Sequence, residues 1–465
     1  MKRNIFLLFS ICLFFLSSCY DDFDDKINKA SLYDQQSFVY HGLKQFYLYK
    51  GYIPELADDF FADAEDLNTY LSNFNSPESL FESLKFQDDR FSIIVPDFRE
   101  LEKQLDGISL NNGMAFGLVK ISSTGKIFGY VRYVMPNSSA ENQEVERGMI
   151  FHKIDGIELT ENNYSQLLAA DDYTIHLAKL EGEDLIPLEE NIPLSKTEFT
   201  ENPIHIANII NLDQHKVGYL MYNSFTRTFD EDLNDVFADF KGEGITDLVL
   251  DLRYNSGGSI ETSRSLAGMI TGQFQGELFA KEIYNENFPD KDLLFKNKTR
   301  NGSSLNSLNL ERVYILTSNS TASASELLIN GLNPYINVIQ IGDHSVGKFQ
   351  GSVTLYDSPD FTRSAVKPGH NYAMQPLILK TVNAAGFTDF HDGLSPDILQ
   401  KENLSDLGVL GNPEENLLQL ALENITGISA EEKPTQQESF TDYIQIHENQ
   451  DNKYLFQQMH TSVNQ

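Results

Sequence analysis

The 465-residue chain has no tryptophan and only two cysteines, Cys12 and Cys19. Two thiols exclude a disulfide framework and a cysteine-built zinc site. Cations are scarce beside anions: 35 Lys and Arg stand against 68 Asp and Glu, a formal net charge of −33. Nucleic-acid binding needs clustered Lys and Arg to neutralise phosphate, so that class is excluded. A basic patch for docking on anionic lipid is excluded for the same reason. The 10 histidines are scattered, with no His-Glu-x-x-His run, no acidic–histidine cluster at metal spacing and no EF-hand loop. No metal or other cofactor is therefore expected. Beyond the amino terminus no apolar run approaches about 18 residues, so no later bilayer span is expected. What is present is an ordinary hydrophobic share, 41%, on a chain long enough for roughly two to four domains.

The amino terminus reads as an address. Met1-Lys2-Arg3-Asn4 is basic, and Ile5 to Leu16 is an apolar run too short to span a bilayer comfortably. It ends in Leu16-Ser17-Ser18-Cys19, which resembles the bacterial lipobox. The resemblance implies cleavage before Cys19, lipidation of Cys19 and loss of Cys12 with the signal. The mature chain would hold no free thiol, so a cysteine nucleophile is excluded. The acidic run Asp21-Asp22-Phe23-Asp24-Asp25 resembles the surface-export signal of Bacteroidetes lipoproteins; as residues alone it reads equally as a solvated tether. The expected location is the cell envelope, lipid-anchored at the outer membrane and, where the acidic run acts as the export signal, on its surface.

Hydrophobic patterning divides the rest. Residues 1–18 are the signal and 19–33 the acidic tether. Residues 34–105 carry apolar positions at helical spacings, with a helix start at Ser76-Pro77-Glu78, and read as a small helical bundle or cap. Residues 106–198 turn to short strands, including Met114–Val119 and Phe128–Val134. Residues 199–427 alternate strands and helices: strands at Val217–Tyr222, Leu248–Leu252, Val313–Leu316 and Val338–Ile341, helices near 231–241, 260–270 and 323–333. That alternation implies a parallel sheet with helices over it. Residues 428–465 are polar and read as a loose tail. The fold class is a multidomain α+β and α/β chain.

Four stretches at strand ends carry the chemistry: Asp251-Leu252-Arg253-Tyr254-Asn255-Ser256-Gly257-Gly258, Ser320-Thr321-Ala322-Ser323-Ala324-Ser325-Glu326, Gly342 to Lys348, and Gly393-Leu394-Ser395-Pro396-Asp397. In the second, small hydroxyl residues precede an apolar helix. A serine there meets unsatisfied backbone N–H groups, which can hold an oxyanion or simply be capped. The third matches the start of the phosphate-binding G-x-x-x-x-G-K pattern, but Phe349 replaces the magnesium-binding hydroxyl and a strand pattern follows, which excludes nucleotide binding. Ser345-x-x-Lys348 mimics the penicillin-binding motif without its helix or its Lys-Thr-Gly partner.

Together the four stretches resemble the C-terminal processing (tail-specific) peptidase family, serine endopeptidases with a Ser–Lys dyad. The resemblance rests on Ser/Thr-Ala-Ser-Ala-Ser-Glu, here Thr321 to Glu326, a lysine in a Gly-Lys context 25 residues after Ser323, Asp-Leu-Arg-x-Asn-x-Gly-Gly and Gly-x-x-Pro-Asp, in family order. It implies a helical N-terminal region, a PDZ-like β domain and a ClpP/crotonase-like α/β protease core. Ser323 would be the nucleophile and Lys348 the general base. The Ala324 amide and an amide of Gly257 or Gly258 would form the oxyanion hole. Asp251 and Arg253 would pair beneath the loop. Many family members have a Gln four residues after the lysine; here that position is Ser352, and Gln350 lies two after. Either can face the lysine from one side of a strand. Residues 106–198 resemble a circularly permuted PDZ domain, with Met149 where Asp is usual. Met114, Ala115, Phe116, Gly117 and Leu118 would offer backbone amides to a peptide terminus. The expected partners are peptides or proteins, plus a membrane through the lipid. The alternative is a catalytically silent peptide-binding lipoprotein of the same fold.

Overall fold

A computed structural model describes residues 29–212, 214–427, 443–448 and 459–461. Cys19 and its flanking signal lie outside the described residues. The chain is a mixed α+β protein of several parts, with a helical N-terminal region leading into an α/β protease-type core.

The first helix, Leu32–Phe46, starts where Ser31 and Asp34 bond reciprocally as a capping box. Helix Pro77–Ser83 starts at Ser76 with proline in its first turn, as the sequence predicts. The remaining helices of this region, Ala64–Leu71 and Phe98–Leu105, are short. Helices of two turns are not stable alone. Apolar residues of the region instead join the core of the α/β part: Phe38, Tyr47, Leu71, Leu80 and Phe81 belong to one buried cluster with Phe237, Phe279, Leu328 and Leu379. The region is thus built into the catalytic body and is no detached bundle.

The middle part is a seven-stranded sheet with its own core, including Phe116, Val131, Phe151 and Ile175. Its strand Met114–Ile121 pairs with Ile127–Val134 on one side and with Tyr443–Glu448 on the other.

The protease-type core holds a six-stranded sheet in the order Ile204–Leu212, His215–Tyr222, Asp247–Asp251, Arg312–Thr317, Asn337–Gly342, Ile398–Leu399. The first pair is antiparallel and the rest are parallel. Strand Asp247–Asp251 is buried along its whole length, as its continuous apolar run predicts. A second six-stranded sheet runs Gly258–Ser259, Met459–Thr461, Gln350–Val353, Leu377–Asn383, Leu278–Tyr284, Lys291–Leu294. The region 428–465 therefore differs from a loose tail: two of its stretches are strands, one on the middle sheet and one inside this second sheet. Polar composition hid them, because each is a short stretch with few apolar residues inside a polar run.

A buried ion network ties the parts together. Arg253 is fully buried and bonds Asp251 at 2.9 Å, Glu415 at 2.7 Å and Glu402 at 3.1 Å. Arg147, from the middle part, reaches the same Glu402 at 2.7 Å and the Tyr254 hydroxyl at 2.7 Å. Glu402 is held down at about 2 against the pull of burial, by Arg147 and Arg253. Removing one member of such a network strands the others as buried charges. Arg253→Ala is expected to destabilise the chain by about 3–5 kcal/mol in urea unfolding at neutral pH.

Candidate active site

Parallel strands bring the candidate residues to one edge. The last residues of Asp247–Asp251, Arg312–Thr317 and Asn337–Gly342 lie side by side, with Asp251 opposite Leu316 and Thr317 opposite Gly342. The loops leaving their carboxyl ends must therefore open at the same place, where α/β proteins usually carry their sites. Those loops are the first three of the four stretches.

The loops are pinned to one another. The Thr321 hydroxyl donates to the Leu252 carbonyl at 2.8 Å, and the Ala322 N–H donates to the Asn255 carbonyl at 3.1 Å. Val346 N–H donates to the Thr321 carbonyl at 2.9 Å. Gly347 has φ of 89°, and a Cβ there would meet the His391 carbonyl oxygen at 2.2 Å, so no other residue fits. The fourth stretch is scaffolding. The Leu394 N–H donates to the Ser345 hydroxyl at 2.7 Å, and Asp397 accepts from the Gln340 N–H at 2.8 Å.

Ser323 is the residue just before helix Ala324–Leu332, with φ 65° and ψ −111°. A non-glycine residue there is strained by roughly 1–3 kcal/mol, a pattern found at functional sites. Its Oγ is buried and has no hydrogen-bond partner among the described residues. Ala324 opens the helix beside it, and the positive end of the helix dipole faces this corner.

Lys348 is also fully buried. Burial pushes its amine down to about 7, although the charges of Asp89 and Glu326 pull the other way. Its Nζ lies 4.8 Å from the centre of the Phe91 ring. Asp89 is fixed by the Tyr47 hydroxyl at 2.6 Å and by the N–H groups of Phe91 and Ser92, each at 2.9 Å. The N-terminal region thus supplies one wall of the lysine pocket.

Glu326, buried in the first turn of the helix, joins the two halves. Its Oε2 accepts the Ser323 N–H at 2.6 Å and the Lys348 N–H at 2.9 Å. Its Oε1 accepts the Gly347 N–H at 2.7 Å and the Ser345 hydroxyl at 2.5 Å. Burial raises its pKa, and those four bonds oppose the rise.

The other candidates are placed as follows. The Gly257 N–H is already committed to Asn255 Oδ1 at 2.9 Å. Gly258 has φ of 133° and lies so close to Phe225 that a Cβ would meet its carbonyl oxygen at 2.6 Å. The Gln350 amide nitrogen donates to the Tyr49 hydroxyl at 2.9 Å, while its buried Oε1 has no partner among the described residues. The Ser352 hydroxyl donates to the Met459 carbonyl at 3.1 Å. Asp251 and Arg253 pair as expected beneath the loop. His344 is half exposed beside Asp343, away from any catalytic arrangement.

Sequence reasoning missed Glu326 as a participant, although its position three after Ser323 is the acidic place of a capping box. It missed Asp89, Phe91 and Tyr49 altogether, because no local pattern links them to Lys348.

Two family models match this chain: "Peptidase family S41" over residues 216–398 and "Peptidase S41 N-terminal domain" over residues 34–93. No curated protein matches it. Among solved structures, a candidate S41 protease from Bacteroides fragilis is 26% identical, with a TM-score of 0.63, over 84% of this chain and 98% of that one. The photosystem II D1 C-terminal processing protease shares the fold at 17% identity, with a TM-score of 0.51, over 81% of this chain and 94% of that one.

Loss of the Glu326 carboxylate leaves three buried N–H groups without their acceptor, each costing about 1–3 kcal/mol. Glu326→Ala is expected to lose at least about 3 kcal/mol in urea unfolding, and Glu326→Gln, which keeps one acceptor oxygen, less.

Proposed function

The chain belongs to peptidase family S41 and is on that ground a serine-type peptidase; we propose that it is an endopeptidase in which Ser323 attacks the scissile carbonyl and Lys348 takes the proton. The observation that carries this reading is the pair itself: an unpartnered, buried serine hydroxyl on strained backbone, and a buried lysine whose amine is pushed down to about 7, both hung from Glu326.

The Ser323 Oγ–H bond breaks as Oγ–C forms, and the proton passes to Nζ of Lys348. The oxyanion falls to the N–H of Ala324 and, because the Gly257 N–H is engaged by Asn255, to that of Gly258. Lys348, now cationic, is stabilised by the Asp89 and Glu326 charges and the Phe91 ring. It returns the proton to the leaving amine. The C–N bond breaks with that transfer; neutral Lys348 then takes a proton from water, whose oxygen attacks the acyl carbon, and gives it to Ser323 Oγ as the ester bond breaks.

The substrates are unfolded or tail-exposed proteins, since extended peptide can pair with sheet edges at both the middle part and the core. The middle part acts as a PDZ-like module through Met114–Leu118. A silent peptide binder is the second reading, favoured by Ser352 at the place of the usual Gln and by Gln350 bonding Tyr49. The chain sits in the cell envelope on a lipid at Cys19, supported by the Leu-Ser-Ser-Cys motif after the apolar run.

With unfolded casein as substrate, kcat/KM is expected to rise about tenfold per pH unit below about 7 and to level off above it, as Lys348 loses its proton. Ser323→Ala should lower kcat about 10⁴-fold or more, and Lys348→Arg, which cannot deprotonate, comparably. Absence of cleavage by the unaltered chain, with peptide still bound, would favour the silent binder. Mass spectrometry of the mature amino terminus should find a diacylglyceryl-modified Cys19; an unmodified residue removes the anchor.

A further inference from the structure

The strand Tyr443–Glu448 runs antiparallel to Met114–Ile121 as an outer strand of the middle sheet, with Tyr443 opposite Ile121 and Glu448 opposite Gly117. Its direction leads toward the Met114 end of the edge, the end assigned to peptide amides above. Its contacts are those of an added ligand strand. Ile446 packs on the domain core, and the Tyr443 ring meets Phe128 edge-on at 5.7 Å. Part of the edge that would take a foreign peptide, Gly117 and Leu118, already pairs with a piece of this chain.

The second piece lies at the catalytic corner. Met459–Thr461 runs parallel between two strands, with Met459 beside Gly258, and His460 beside both Ser259 and Ser352. Gly258 is the candidate oxyanion donor, and Ser352 follows Lys348 on its strand. A substrate strand whose carbonyl reaches the Gly258 amide must run along this same lane. Met459 is fully buried in the main core. Its carbonyl accepts from Ser352 at 3.1 Å, and nothing described bonds to Ser323 Oγ. The tail therefore fills the lane without offering that carbonyl to the nucleophile. His460 adds a cost: its buried Nδ1 has no partner among the described residues. An unsatisfied buried polar atom weakens the docked state, as suits a segment that must leave.

We propose that the carboxyl-terminal segment of this chain is the resting occupant of both peptide sites, residues 443–448 on the middle sheet and residues 459–461 in the lane beside Gly258. An extended peptide gains access by displacing them. The effect on turnover rests on the peptidase reading; the competition for binding does not. A tail docked about nine-tenths of the time weakens apparent peptide affinity about tenfold.

The test uses Ser323→Ala in the full chain, the same with Met459→Asp, and the same ending after residue 427. Met459→Asp places a charge where the tail is fully buried against the core, and urea unfolding checks that the variant keeps the fold of the full chain. Each protein is titrated with a fluorescent synthetic peptide of residues 443–465, read by polarisation. Both tail variants should bind about tenfold or more tightly than the full chain. Equal affinity of the full chain and Met459→Asp, or no binding to any of the three, overturns the proposal. In parallel, with Ser323 intact, Met459→Asp should raise kcat/KM on unfolded casein about tenfold, chiefly through KM. Peptide competition without cleavage by any version would keep the tail assignment and remove the peptidase. Cleavage at equal rates with equal peptide binding would do the reverse.

Discussion

A single buried carboxylate organises the catalytic corner. Glu326 accepts from the backbone of Ser323 and from the backbone of Lys348 through the same oxygen. Two loops that leave different strands thereby take one relative position. The bonds are charge-assisted and shielded from water, so each is stronger than its surface counterpart. With the carboxylate so engaged, the turn at Ser323 can be held in a conformation that serine does not favour. The strain is local, and the restraint comes from a helix, a turn and a loop at once.

The lysine depends on a different part of the chain. Burial pushes its amine down to about 7, with the Phe91 ring packed against it and the charge of Asp89 acting on it. Those residues belong to the N-terminal region, whose short helices share one hydrophobic cluster with the core. A region that reads as a cap thus forms part of the lysine's pocket. Arg253, Glu402 and Arg147 in turn join the loop that leaves Asp251 to the middle sheet. Packing of three parts, not any one motif, sets the proton affinity that the chemistry needs.

Much of this was legible in the residues. Continuous apolar runs located the strands Asp247–Asp251 and Arg312–Thr317, and Ser-Pro-Glu located a helix start at 76. The order and spacing of the four loop stretches placed Ser323 and Lys348 as candidates, and parallel pairing brings their loops to one edge. The choice between Gly257 and Gly258 was open in the sequence, since both are glycine; in the structure the Asn255 side chain engages the Gly257 amide. The roles open to Gln350 and Ser352 were equally hidden, because alternation along a strand puts both on one side. Their partners, Tyr49 and Met459, come from opposite ends of the chain.

By itself the sequence determined what is local: helix caps, the glycines that permit tight approach, the small residues around Ser323, and an amino terminus with the pattern of a lipid-anchored export signal. Each follows from neighbours within a few residues, where backbone geometry and side-chain size act directly. Only the tertiary structure decided the dryness of Lys348, the reach of Glu326 and the docking of the polar carboxyl-terminal stretches as strands. These are contacts between residues far apart in the chain. They depend on burial and on exposed backbone donors and acceptors, which every sequence carries alike.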